Sequence, residues 1–356
     1  MITLKLNRQK FFPCNTLLGV LIGFSLATSV IAESPQRVNV PSAPFAIVEN
    51  ESSLDILHGD HLVTTYIKKS GSKPILWPLI SPQGYRLTRD YPMLDTNETE
   101  IRDHIHHRSM WLTHGEVNGV NFWGEEGTNL GTVTHQEITV TKADATSASI
   151  SGVCDWVDAA GKVILKESRI IRISKFETAY VLGFDCVLTA QDDLVDLGDT
   201  KEGTMGLRVA ESIRVDSGKG GRILDSDGRL NDRAWGQAAK WVDYSGPVGD
   251  DTSKDGESVT ERATAGMTVF YHPDSFGYPG RWHVRDYGLF AHNPIGKKDF
   301  PGVVEIGSEE SEKIAGGHQM KPGESIRLRY SILLHDSDWT PDFAERYWKS
   351  FISQNQ

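Results

Sequence analysis

Ser147-Ala-Ser-Ile-Ser-Gly-Val-Cys-Asp-Trp-Val157 places Ala148, Ile150, Gly152, Cys154 and Trp156 on one side of an extended chain and mostly polar residues on the other. A second run, Val163–Ile173, follows through the turn Asp158-Ala-Ala-Gly-Lys162. A third, Ala179–Leu188, sets Tyr180, Leu182, Phe184, Cys186 and Leu188 on one side in the same way. Alternation with period two is the mark of a strand with one buried face, and three such runs joined by short turns predict an antiparallel meander. Cys154 and Cys186 would then lie two strand spacings apart, about 9–10 Å, beyond the reach of a disulfide. Two buried free thiols are expected.

The same period extends outward in both directions. Leu62–Lys68, Ile75–Ile80, Gly206–Val215, Gly266–Tyr271 and Ser325–Leu334 read as further strands. Turn chemistry separates them at Ser81-Pro-Gln-Gly84, Asp225-Ser-Asp-Gly228 and Lys321-Pro-Gly-Glu324, and Val117-Asn-Gly-Val120 is a two-residue hairpin signal. A single helix is expected near the C-terminus, capped by Thr340, opened by Pro341 and striped by Phe343, Tyr347, Trp348 and Phe351. Polar residues 249–264 read as a long exposed loop. No fixed-period repeat is present, which disfavours a propeller or solenoid. The expected fold is all-β: one large antiparallel β-sandwich over residues 45–338, with a short C-terminal helix over 339–356 packed on it.

At the other end, Lys5, Arg8 and Lys10 precede the apolar stretch Leu17–Ala27 and the small residues of Val30-Ile-Ala32, so residues 1–32 read as a signal peptide. The alternative is a retained anchor. Residues 33–44 read as a flexible linker, and the mature protein is expected to be exported, periplasmic or extracellular, with no membrane association after cleavage. Removing three cations from the 37 Lys and Arg leaves 34 against 48 acidic residues, so a net charge of −11 becomes −14. No long basic run exists, and nucleic acid is not an expected partner.

Chemistry concentrates in Asp103-His-Ile-His-His-Arg108, followed by Trp111, His114 and Trp123-Gly-Glu-Glu126. Read as a strand, the segment sets His104, His106 and Arg108 on one face and Asp103 and His107 on the other. His104 and His106 at this spacing can ligate one metal ion, or the cluster can supply a proton donor and hydrogen bonds to substrate. The plainer alternative is a hydrogen-bonded polar edge. A second segment, Arg281-Trp-His-Val-Arg-Asp286, aligns Arg281, His283 and Arg285 on one strand face, a pattern suited to a carboxylate or sugar acid, and leads to Asn293. In Asp199-Thr-Lys-Glu-Gly203, followed by Arg208, Glu202 sits at a strand entry where it can act as base, with Lys201 beside it. Trp123 and Trp235 adjoin turn residues and offer flat faces for a sugar ring.

The blocks Asp103–Trp111, His114–Gly124, Gly198–Gly203, Tyr244-Ser-Gly-Pro247 and Arg281–Gly288 together resemble a bacterial family labelled PmoA, or methane oxygenase-like, whose pattern has Pro where this chain has Ile105. The label implies copper or iron chemistry. Exported members look similar to the large sandwich, or supersandwich, folds of sugar mutarotases and polysaccharide-active enzymes. The expected function is therefore an exported carbohydrate-active enzyme of epimerase, hydrolase or lyase type, acting on a carbohydrate or sugar acid and requiring no cofactor. In it His107 or His283 is the acid and Glu202 the base, with Arg108, His114, Trp123, Arg208, Arg281, Arg285 and Asn293 holding substrate. The alternatives are a metal-dependent oxidative enzyme using His104 and His106, and a non-catalytic sugar-binding protein.

Overall fold

A computed structural model describes residues 44–95, 100–249, 262–300 and 316–353. The expected signal peptide, nearly all of the linker and most of the 249–264 loop lie outside the described residues. Two eight-stranded antiparallel sheets make the fold. The first runs, edge to edge, through Phe45–Glu49, Ser53–His58, His61–Ser70, Lys73–Leu76, Met110–His114, Gly203–Arg208, Leu289–Asn293 and Arg281–Val284. The second runs through Arg222–Asp225, Trp241–Val248, Ala263–Tyr271, Ser325–His335, Ala179–Ala190, Val163–Phe176, Ser147–Val157 and Thr132–Ala143. Each sheet buries one face against the other. Met110, Leu112, Met205, Leu207, Trp282 and Phe290 of the first share a core with Ile150, Trp156, Leu182, Phe184 and Leu328 of the second. The chain is an all-β antiparallel sandwich.

The meander forms as its alternation requires. Val163–Phe176 pairs with both neighbours and places Glu167 opposite Cys154 and Arg169 opposite Cys186. Both thiols are buried and free. The same inward face carries a charged pair: Arg169 Nε donates to Glu167 at 2.6 Å and Trp156 Nε1 donates to it at 2.9 Å. Both charges are paired and hydrogen-bonded, as burial in an apolar interior demands.

Asn118 and Gly119 take φ of 53° and 73°, the double positive φ of a type I′ turn, and Val117 bridges Val120 across it. The helix spans Pro341–Ser353, with Phe343 N donating to Thr340 Oγ1 at 3.2 Å. Its Phe343, Tyr347, Trp348 and Phe351 pack on Val181, Trp241, Phe270 and Leu333, on the outer face of the second sheet. It is too short to cross a bilayer, and no described helix is long and apolar enough to do so.

Two expected strands are shorter. Ile75–Ile80 is a strand only as part of Lys73–Leu76, and Gly206–Val215 ends at Arg208. Beyond Val209 the chain turns, with Ile213 N donating to the Ala210 carbonyl.

Candidate functional site

The site lies on the outward face of the first sheet. Where Met110, Leu112, Met205, Leu207, Phe290 and Trp282 point into the sandwich, their strand neighbours Trp111, Arg208, Leu289, Ala291 and His283 must point away from it. Loops 101–109, 121–126 and 200–202 fold over this face and enclose a cavity of about 420 Å³. His104, His106, His107, Trp123, Glu202 and Tyr287 line it, with Gly115, Asn121, Gly124, Glu126 and Thr200. A groove of similar size, about 440 Å³, lies on the outer face of the second sheet beside the helix. Its lining has no histidine, and its carboxylate, Asp185, is paired with Arg327. The histidine cavity therefore holds the groups that can move protons.

Residues 103–108 do not form the strand that alternation suggested. The segment turns, with His104 at φ 43° and His107 N donating to the His104 carbonyl at 2.9 Å. The cause is Arg89, whose buried guanidinium donates to the carbonyls of Ile101 (3.2 Å), His104 (2.9 Å) and His107 (3.2 Å) and to Asp103 (2.6 Å). Curling the chain around one guanidinium satisfies carbonyls that a sheet would otherwise have to pair. As a result His104 and His107, expected on opposite faces, stack with ring centroids 4.6 Å apart and planes 4° apart. Tyr287 extends the stack beyond His104 (5.4 Å, 7°) and Trp111 extends it beyond His107 (5.3 Å, 18°). Trp123 meets Trp111 and His107 edge-on.

Hydrogen bonds divide the histidines by role. Arg208, fully buried, donates from Nη1 to His107 Nδ1 at 3.1 Å and from Nη2 to both Asp103 oxygens at 2.7 and 2.9 Å. A guanidinium only donates, so His107 Nδ1 must accept and its proton sits on Nε2. Burial and the neighbouring His106 and Arg208 push His107 well below the ordinary histidine range. It is a neutral N–H donor. His104 has the opposite wiring: its Nδ1 lies 2.9 Å from Asp103 Oδ2, donates there, and leaves Nε2 to take or give a proton. His106, lowered to about 4 by burial and by the charges of Lys73 and His104, stays neutral near pH 7. Burial raises Asp103, but hydrogen bonds from His104 and Arg208 and the charge of Arg89 outweigh it and hold the carboxyl well below its usual range.

Glu202 lines the same cavity. Burial raises its carboxyl above the ordinary value, against the pull of Lys201 (3.4 Å) and the charge of His104. Several sequence-predicted residues act on its loop rather than on the cavity. His283 Nδ1 donates to the Lys201 carbonyl at 3.1 Å, packs on Trp235, and is pushed down to about 3 by burial. Asn293 donates to the Thr200 carbonyl at 2.8 Å while accepting from Ile295 and Gly296. His114, buried and lowered to about 4, donates from Nε2 to the Gly198 carbonyl at 2.8 Å. Gly115 N donates to the Glu202 carbonyl at 2.6 Å, and a Cβ there would lie 2.8 Å from that of Glu202, so glycine allows the two loops to touch.

Arg108, read as a substrate ligand, instead grips Glu125 through Nε and Nη2 at 2.7–3.0 Å. Lys73 joins Glu125 at 3.0 Å beneath Trp111. Arg281 donates to the Gly236 carbonyl at 3.1 Å. Arg285 lies over the rings of Trp235 and Tyr287. His104 and His106 were the candidate metal ligands; among the described residues no three His, Cys, Asp or Glu side chains are grouped to hold a metal ion. Sequence reading assigned no role to Asp103 and Tyr287, although both stand inside the quoted motifs. A carboxylate next to a histidine cluster was the available signal for the first.

The model of a family described as a family of unknown function, DUF6807, matches residues 53–349. No curated protein matches. Among solved structures, the α-galactosidase AgaA of Geobacillus stearothermophilus is 10% identical over 83% of this chain and 40% of its own, with a TM-score of 0.38. The galactosidase domain of an α-galactosidase–sucrose kinase is 9% identical over 82% and 42%, at 0.41. A galactose mutarotase-related enzyme of Lactobacillus acidophilus is 11% identical over 82% and 97%, at 0.28. The chain spans about two fifths of the length of the α-galactosidases it matches.

Proposed function

The chain belongs to DUF6807, a family whose description names no activity, and we propose from its site that it is a carbohydrate-active enzyme of epimerase, hydrolase or lyase type that works by proton transfer. One observation carries this reading. A single cavity of about 420 Å³, within the size range of small-ligand pockets, is lined both by a carboxyl raised by burial, Glu202, and by a histidine oriented by a carboxylate, His104.

The roles follow from the wiring. Glu202 accepts a proton from one side of the bound ring, and its raised value brings it closer to neutral pH, where a base works best. His104 delivers a proton from Nε2, while Asp103 fixes its tautomer and ring angle and stabilises the imidazolium. His107, locked as a neutral Nε2–H donor, polarises a substrate oxygen without taking up charge. Trp123 gives the ring a flat wall. His283, His114 and Asn293 are positioning residues that hold the Glu202 loop. In this reading the acid is His104 rather than His107 or His283.

The test is a time-resolved NMR screen of neutral and acidic mono- and oligosaccharides with the wild-type protein, Glu202→Gln and His104→Gln. Either substitution is expected to slow turnover roughly 10²- to 10⁴-fold while sugar binding persists. Saturable binding with no product from any sugar would make the protein a binding module. Unchanged turnover in both variants would remove the assigned acid and base.

A further inference from the structure

Among the described residues, Arg285 is a cation beside the cavity that neither a carboxylate nor a main-chain carbonyl answers. Arg208 is bound to Asp103, Lys201 lies against Glu202, and Arg281 donates to a main-chain carbonyl. The guanidinium of Arg285 makes no hydrogen bond or ion pair among the described residues. Two rings hold it instead: its central carbon is 4.9 Å from the Trp235 ring centroid and 5.6 Å from that of Tyr287, which lines the cavity. Its backbone is fixed as well. Arg285 N donates to the Leu289 carbonyl at 2.8 Å, Gly288 N donates back at 3.0 Å, and the core hydroxyl of Tyr244 donates to the Arg285 carbonyl at 3.1 Å.

Ring contacts satisfy the faces of a guanidinium and leave its donors, which radiate from the edge in one plane, for a planar acceptor. No Arg285 nitrogen is a buried donor without a partner, so its edge meets solvent and a ligand there would exchange water for a charge-assisted bond. We infer that Arg285 is the anion-recognising residue of this site and that the preferred ligands are sugars bearing a carboxylate, bound bidentately by its guanidinium while the ring lies between Glu202 and His104. This rests on the sugar reading above and narrows it to acidic sugars.

Sodium glucuronate, glucose and sodium acetate separate the two ideas when titrated into the full chain, read by calorimetry and by the Arg285 Nε–H NMR signal. Wild-type protein should bind glucuronate at least about ten-fold more tightly than glucose, as a charge-assisted pair allows. Arg285→Met, which keeps the stem between the rings, should abolish that preference and spare glucose binding; Arg285→Lys should retain part of it. Equal binding of glucuronate and glucose, or a preference that survives in Arg285→Met, overturns the anion assignment and leaves the sugar reading standing. Acetate shifting the Arg285 signal while neither sugar binds would support the anion site and overturn the sugar reading. Silence from all three probes overturns both.

Discussion

Replacing Asp103 by Asn removes the carboxylate that gathers three donors: Arg89 at 2.6 Å, Arg208 at 2.7 Å and His104 at 2.9 Å. The side chains of Arg89 and Arg208 are only 2% and 0% exposed, so both guanidinium groups lose their counter-charge in place. Truncating one partner of a buried pair typically costs about 3–5 kcal/mol. Asp103 itself is 30% exposed and water offsets part of its loss, so the lower end applies, ~3 kcal/mol, or a fall of roughly 4–5 °C in Tm for a domain of about 300 residues. Differential scanning calorimetry measures it, and pH supplies a second, signed readout. A carboxyl held below its unfolded value contributes stability that is complete above that value, 3.8, and fades as pH drops beneath it toward the folded value. The gap in Tm between wild type and Asp103→Asn should therefore be widest above pH 5 and narrow toward pH 3. A loss under about 1 kcal/mol, equal at pH 7 and pH 3, would refute the buried three-donor arrangement.

Long-range ¹⁵N correlation spectra should show His107 as the neutral Nε2–H tautomer down to pH 5, and Arg208→Met should release it to mixed tautomers. An Nδ1–H signal in the wild type would contradict the Arg208 bond. His283, His114 and His292 are held near 3, 4 and 4 by burial, far below 6.5. The unfolded chain binds those protons first, so their contribution to stability is whole above pH 6.5 and falls by about 1.4 kcal/mol per pH unit per group below it. Chemical denaturation at pH 7 and pH 5 should show this loss, and equal midpoints would count against neutral buried rings. Cys154 and Cys186, buried with thiols raised by desolvation, should resist maleimide in native protein and react in guanidinium chloride. A Cys154–Cys186 peptide in a non-reducing digest would overturn the meander order.

The sandwich was legible because burial of one face imprints period two. Ser147–Val157 reads from sequence with its observed boundaries, and both thiols follow from strand order alone. The site was legible in composition but not in geometry. Asp103–Arg108 has the alternation of a strand, yet Arg89, 14 residues before Asp103 and 18 before His107, draws the chain into a turn. No local pattern reports such a contact. His283 and Asn293 were singled out as chemical groups; the distances to Lys201 and Thr200 show them tying down the loop that carries Glu202. Such roles depend on which carbonyl lies opposite a side chain, and that is a property of the folded chain. Arg281, His283 and Arg285 share a spacing, but Arg281 and His283 donate to the Gly236 and Lys201 carbonyls, whereas the Arg285 guanidinium makes no hydrogen bond among the described residues.

The most direct measurement is the pH profile of kcat/KM for the sugar that is turned over, in wild type and Glu202→Gln. The predicted profile has an acid limb, the rate falling as Glu202 gains its proton, with a midpoint above the ordinary 4.5 of a glutamate because burial raises that carboxyl. Glu202→Gln should lose both the limb and at least a hundred-fold in rate. A variant with wild-type rate and an unchanged acid limb would contradict proton transfer by Glu202 in this cavity.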